Sequence, residues 1–269
     1  MTVDAPPSRR RRWLVAVVVL WAIVLAVIAY ASVRRGDATV RDQSSAADAR
    51  PVVDRAVGEL AAAAGAAGVL HISGYDLERD CRITPVRSGV TLTREVTIYA
   101  READGPGLLD QIVKALPAGY DAVARHTAKA HALRADAGDF VAIRGSITSP
   151  GVVSLSVDTG CRPAGDIELT EPAADRSVIN PVLGAFGATA KAVTAAEAPC
   201  PNGGTVRTVR ADATPGTPPT SLSEPLRPLT TGATVIVNAP DRVAYRTPQA
   251  AVSVDADGGD LAIATTTGC

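Results

Sequence analysis

Aromatic side chains are scarce, at 3% of the residues, and both tryptophans, Trp13 and Trp21, fall in one N-terminal apolar stretch. A surface that stacks nucleobases or sugar rings is therefore not expected in the rest of the chain. A basic excess is missing too. The net charge is −1, and beyond residue 35 there are 21 basic against 27 acidic residues. Nucleic acid is excluded as a partner, because it requires a basic patch. Histidine occurs only at His71, His126 and His131. There is no His-Glu-x-x-His, and the step of five from His126 to His131 misses the spacing of a helical metal pair. Gly-x-Ser-x-Gly, Ser-x-x-Lys and Cys-x-x-Cys are also absent, which removes the common nucleophile and redox signatures.

One feature is strongly present. Residues Trp13 to Val33 run for 21 positions without a charge, directly after Arg9-Arg10-Arg11-Arg12. About 20 apolar residues suffice to cross the hydrocarbon layer. Trp13 and Tyr30 lie near the ends, where amphipathic rings favour the interface. The arginine excess on the N-terminal side predicts a cytoplasmic tail, residues 1–12, a transmembrane helix, 13–33, a stalk, 34–47, and an extracytoplasmic remainder. A competing expectation is a cleaved signal, since Ala29-Tyr30-Ala31 has the small-x-small form of a peptidase site. Both place the bulk of the chain outside. Arginine outnumbers lysine, and alanine, glycine and proline abound, a bias that fits a GC-rich bacterial genome.

The cysteines Cys81, Cys161, Cys200 and Cys269 all follow the apolar segment. An even number in an oxidising compartment predicts disulfides, with three pairings open. The order of elements narrows the choice. Pro51 opens a helical pattern carrying Val53, Val57, Leu60, Ala61 and Ala64 on one face, ended by Gly65 and Gly68. Strands are expected at 69–74, 90–99, 120–126, 140–144 and 152–157, with a helix at 108–116 stopped by Pro117. The second half reads similarly. Asn180-Pro181 starts a helix running to about Glu197, strands follow at 205–210, 234–238, 243–246, 251–255 and 261–265, and the five prolines of 213–228 predict a loop. Val153 to Cys161 and Leu261 to Cys269 both alternate, and both finish Thr-Gly-Cys.

These patterns predict an α+β fold: two similar subdomains, 48–162 and 176–269, each an antiparallel sheet with helices on one face, arising by duplication. Duplication would pair Cys81 with Cys161 and Cys200 with Cys269. Two further clusters read as structural. Gly105-Pro-Gly107 lacks the third glycine of a phosphate loop, and Asp255, Asp257 and Asp260 around Gly258-Gly259 do not match a calcium loop. No catalytic, cofactor-binding or metal-binding residue is assigned, and no cofactor is expected. The function expected is a membrane-anchored, non-enzymatic module that binds a partner protein or small ligand near the junction at residues 162–180. An extracytoplasmic hydrolase is the alternative, since a carboxylate pair is compatible with the composition. A structural subunit contacting a complex through Arg9 to Arg12 and the helix is a third expectation.

Overall fold

The computed structural model describes residues 9–35 and 44–269. They belong to two units, divided between Gln43 and Ser44. The first contains one described element, helix α1 (Arg9–Arg35). Its segment Trp13–Tyr30 is long and apolar enough to cross a membrane, and its large side chains are exposed, Leu20 and Trp21 by more than 60%. Most of the expected stalk, residues 36–43, lies outside the described residues.

The second unit begins with helix α2 (Ala46–Ala64), which starts inside the stretch read as stalk and ahead of Pro51. Ser45 explains the early start. Its hydroxyl accepts the Asp48 N–H at 3.2 Å, and the Asp48 carboxylate accepts the Ser45 N–H at 3.3 Å. This capping box satisfies two donors that a helix start otherwise leaves unpaired. The N–H groups of Ala46 and Ala47 donate to the carbonyls of Pro163 and Ala164. Pro51 sits on the exposed side. Ala49, Val53, Val57, Leu60 and Ala64 form the buried stripe, at the spacing of a helix face.

Seven strands and one helix follow: β1 (Val69–Ile72), β2 (Asp76–Thr84), β3 (Arg87–Tyr99), α3 (Gly105–Ala115), β4 (Val123–His126), β5 (His131–Asp136), β6 (Ala142–Ser149) and β7 (Val152–Asp158). They make an antiparallel sheet in the order β1-β3-β7-β6-β5-β4, with β2 also paired to β3. Strands β2 and β5 were not expected. Strand β2 is mostly polar and β5 half polar, and neither keeps a regular apolar alternation, so their hydrogen-bonding partners define them. Tyr120 belongs to a 3-10 turn and not to β4.

The second sheet is built from α4 (Asn180–Ala185), β8 (Thr189–Pro199), β9 (Thr205–Thr214), α5 (Ser223–Thr230), β10 (Thr234–Ala239), β11 (Arg242–Arg246), β12 (Ala251–Asp257) and β13 (Asp260–Thr267). Its order is β10-β11-β12-β13-β9-β8. The helix expected as far as Glu197 stops at Ala185, and Gly187 takes φ +54° before β8 begins. Alanine-rich residues 188–198 favour a helix locally, yet they pair with β9 along its length. Tertiary pairing overrides a propensity of a few tenths of a kcal/mol, roughly, per residue. The proline-rich loop also ends earlier than expected, at α5. Pro225 falls in its first turn, where a missing N–H removes no helical bond. In both sheets a four-strand meander ends beside the second strand of the preceding hairpin, but β1, which also pairs with β3, has no counterpart in the second sheet.

Helix α2 contributes to both sheets' packing. Its stripe shares a core with Val96, Ile98 and Leu155 of the first sheet and with Ala196, Ala198 and Val206 of the second. The second sheet keeps its own core under α4 and α5, around Ile179, Phe186, Leu222, Leu226 and Ile263. A third cluster joins Val69, Tyr99 and Val152 to Ala244 and Ala251. Disulfides Cys81–Cys161 and Cys200–Cys269 close loops of 80 and 69 residues, each stabilising by about 4 kcal/mol in the chain-entropy account. The pairing registers shift within β2, at Ala190/Ala192 of β8 and at Val235/Val237 of β10.

Close approach of α2 to the end of β8 depends on Gly58, where an added Cβ would lie 1.8 Å from the carbonyl oxygen of Pro199. Gly58→Ala is therefore expected to destabilise by about 1–3 kcal/mol, seen as a lower melting temperature. Gly107→Ala in α3, where a Cβ meets nothing within 4 Å, should be neutral or stabilising. A Gly58→Ala protein as stable as its parent would contradict this packing.

Candidate functional site

In β3 the residues facing α2 alternate as Val90, Leu92, Arg94, Val96 and Ile98, all buried. The arginine stands where the period of two calls for an apolar side chain, and it is 1% exposed. Burying a guanidinium is costly unless every donor is used. Here Nη1 bonds Asp54 Oδ1 of α2 at 2.8 Å and the Glu197 carbonyl of β8 at 2.9 Å. Nε and Nη2 both bond the Ser73 carbonyl, at 3.2 and 2.9 Å. The Tyr75 ring packs 4.7 Å from the guanidinium carbon, and its hydroxyl donates to the Asp54 carboxylate at 2.6 Å. Burial, then the Asp54 carboxylate, pushes the Tyr75 phenol up to about 12, so it remains a donor.

Two more contacts fasten the sheets together. Tyr99 donates to Asp255 at 2.6 Å, and Arg242 Nε donates to the other carboxylate oxygen at 2.5 Å. Burial, with Asp255 second, holds the Tyr99 phenol far above its ordinary value. The hydroxyl of Thr208 accepts the Ile72 N–H at 3.0 Å and meets Thr266 at 2.8 Å.

Between these contacts runs a groove of three adjoining compartments of about 340, 410 and 230 Å³, with Gly74 and Ala195 lining all of them. One end carries His71, Thr97, Thr194 and Arg210; Asp76, Glu95 and Glu171 line the middle. Residues Thr170, Glu171 and Pro172 form a wall, so part of the expected junction, 162–180, does border it. That linker is fixed by Arg50, which donates to the Glu168 carbonyl at 2.8 Å, and by Arg207, which donates to the Ala173 carbonyl. Another cavity, of about 440 Å³, lies at the C-terminal end of α2, where Arg246 is committed to the carbonyls of Gly65 and Gly68. The groove is the better candidate because it lies between the two sheets and brings carboxylates together with a buried imidazole nitrogen.

His71 Nδ1 is buried and has no hydrogen-bond partner among the described residues. Burial, followed by the nearby Arg210, lowers its pKa to about 4, with Asp255 opposing. The imidazole is therefore neutral at ordinary pH. Among the described residues, no hydrogen bond links Asp76, Glu95 and Glu171 to one another or to His71. The groove offers hydroxyls, carboxylates, one guanidinium and a neutral imidazole, which suits recognition of a polar ligand.

The other sequence candidates have separate positions. Gly105 opens α3 against Ile147, whose Cδ1 would lie 2.8 Å from an added Cβ, so close packing explains the glycine. Asp255 serves Tyr99 and Arg242, while Asp260 serves Lys191 and Thr214. His126 and His131 face each other across the β4–β5 hairpin, a proximity that helical spacing rules could not reveal.

No family model matches the chain, and no curated protein matches it. Among solved structures there is a likeness to the crystal structure of a DUF4853 family protein from Actinomyces odontolyticus. The TM-score is 0.38 at 13% identity, covering 67% of this chain and 98% of that one.

The Arg94–Asp54 contact predicts strong coupling. Asp54→Leu strands a buried charge and should cost roughly 3–5 kcal/mol in denaturant unfolding. Adding Arg94→Met should recover at least about 1 kcal/mol; strictly additive losses would refute the coupling. His71 predicts a pH effect of definite sign. Its folded pKa, about 4, lies below the ordinary value of about 6.5. Its contribution is complete above pH ~6.5 and is lost as pH falls toward 4, because the unfolded chain takes up the proton first. The parent should lose roughly 3 kcal/mol more than His71→Gln between pH 7 and 4. Equal losses in the two proteins would disprove the assignment.

Proposed function

We propose that this protein is a single-pass bacterial envelope protein whose outer unit binds a partner protein or a small polar ligand in the groove between its two sheets. The apolar helix and the disulfides suggest an extracytoplasmic protein. The arginines before Trp13 favour a retained anchor with residues 1–12 in the cytoplasm and the unit from Ser44 onward outside. The observation that carries the binding reading is the groove itself. It is lined by hydroxyls, carboxylates and an imidazole, between sheets that the buried Arg94 and Tyr99 contacts hold together. A fixed concave site with a few convergent polar groups is the usual form of a binding pocket.

We further propose that the two sheets arose by duplication. The hairpin-plus-meander order common to both sheets, one disulfide in each half and the Thr-Gly-Cys endings at Cys161 and Cys269 support this.

Two measurements test the proposal. A photo-crosslinking residue at Thr194 should give a discrete adduct in living cells, whereas the same residue at Arg134 on β5 should not. No adduct at Thr194, or turnover of an envelope substrate abolished by Glu95→Gln, would count against a binding module. Intact mass of the membrane-extracted protein should include residues 1–33; a mature chain beginning at Ser32 would replace the anchor by a signal.

A further inference from the structure

The β4–β5 hairpin places His126 directly opposite His131 in the sheet register. The turn between them is closed by the Thr127 N–H, which donates to the Ala130 carbonyl at 2.9 Å, and by the Thr127 hydroxyl, which donates to the same oxygen at 3.0 Å. The two Nδ1 atoms lie 2.9 Å apart, and the ring centroids 5.1 Å apart. On the far side of His126, Nε2 sits 3.1 Å from Asp110 Oδ1 of α3. A carboxylate only accepts, so Asp110 holds the His126 proton on Nε2 and leaves its Nδ1 lone pair free. The partner nitrogen of His131 then carries the one proton between the rings. A histidine pair with one ring oriented by a carboxylate is the arrangement that metal-binding imidazoles use.

We propose that His126 and His131 bind a borderline divalent cation of the zinc type through their two Nδ1 atoms, with Asp110 as the orienting carboxylate. Binding needs no net proton release: the proton on His131 moves from Nδ1 to Nε2, and the ion takes the position between the two lone pairs. Nitrogens bound at about 2.0–2.1 Å to a tetrahedral ion stand roughly 3.3 Å apart. The pair must therefore open by a few tenths of an ångström, a small ring rotation at exposed positions. No group of three or more His, Cys, Asp or Glu among the described residues is arranged to hold a metal, so water completes the coordination and the site is open to solvent. The pair lies on β4 and β5 and does not line the groove between the sheets. Its occupancy is separate from ligand binding there.

The test is a Zn²⁺ titration of the full chain in detergent micelles, free of any affinity tag, against a chelating dye. One saturable Zn²⁺ per chain is expected, lost in both His126→Ala and His131→Ala. Asp110→Ala should weaken binding roughly 10-fold, and His71→Gln should leave it unchanged. Circular dichroism and melting of the apo variants establish that these exposed substitutions keep the fold. No saturable uptake, or uptake that survives both histidine variants, overturns the proposal.

Discussion

The buried guanidinium of Arg94 connects pieces of backbone that no single sheet would bring together. It joins β3 of the first sheet to Asp54 on α2, to the Ser73 carbonyl between β1 and β2, and to Glu197 on β8 of the second sheet. A charge so placed tolerates little movement, because any lost partner leaves an unpaid desolvation cost. Lysine would not substitute, since a single ammonium cannot reach three acceptors arranged around a planar fork. Together with the core that α2 shares with Ala196 and Ala198, this side chain holds β8 against the first sheet beside the groove.

Electrostatics then decide what the groove offers. The phenols of Tyr75 and Tyr99 are held protonated, His71 is held neutral, and Arg94 is compensated by Asp54. Charge accessible to a ligand is left to Glu95, Glu171, Asp76 and Arg210, at the walls. Polar walls on a rigid frame lower the ordering cost of binding, because little in the protein must be fixed when a ligand arrives.

Much of the frame is legible in the sequence. The stripe from Val53 to Ala64 and the alternation from Val90 to Tyr99 announce α2 and β3, because both bury one face at a regular period. The bridges Cys81–Cys161 and Cys200–Cys269 are the pairing implied by the repeated Thr-Gly-Cys ends. Residues 188–198 are misleading for a physical reason: alanine favours a helix locally, while pairing with β9 and the burial of Ala195, Ala196 and Ala198 are long-range facts. Strands β2 and β5 carry only a broken apolar alternation. The groove is legible only in outline, through the linker at residues 170–172. Its central clue was nevertheless present, as Arg94 interrupts an otherwise apolar row, and an interrupted row marks a buried charge that must have a partner elsewhere in the chain.

The sheet margins have a consequence for how copies of this protein meet one another. Strand β8 is irregular at Ala190/Ala192, with charged Lys191 at the break, β10 is irregular at Val235/Val237, and β4 spans four residues. Unpaired margins invite strand exchange between neighbouring molecules, and irregularity, lysine and brevity oppose it. At high local concentration such exchange becomes more frequent, and these margins count for more. Margins of this kind favour pairing within one molecule over pairing between two.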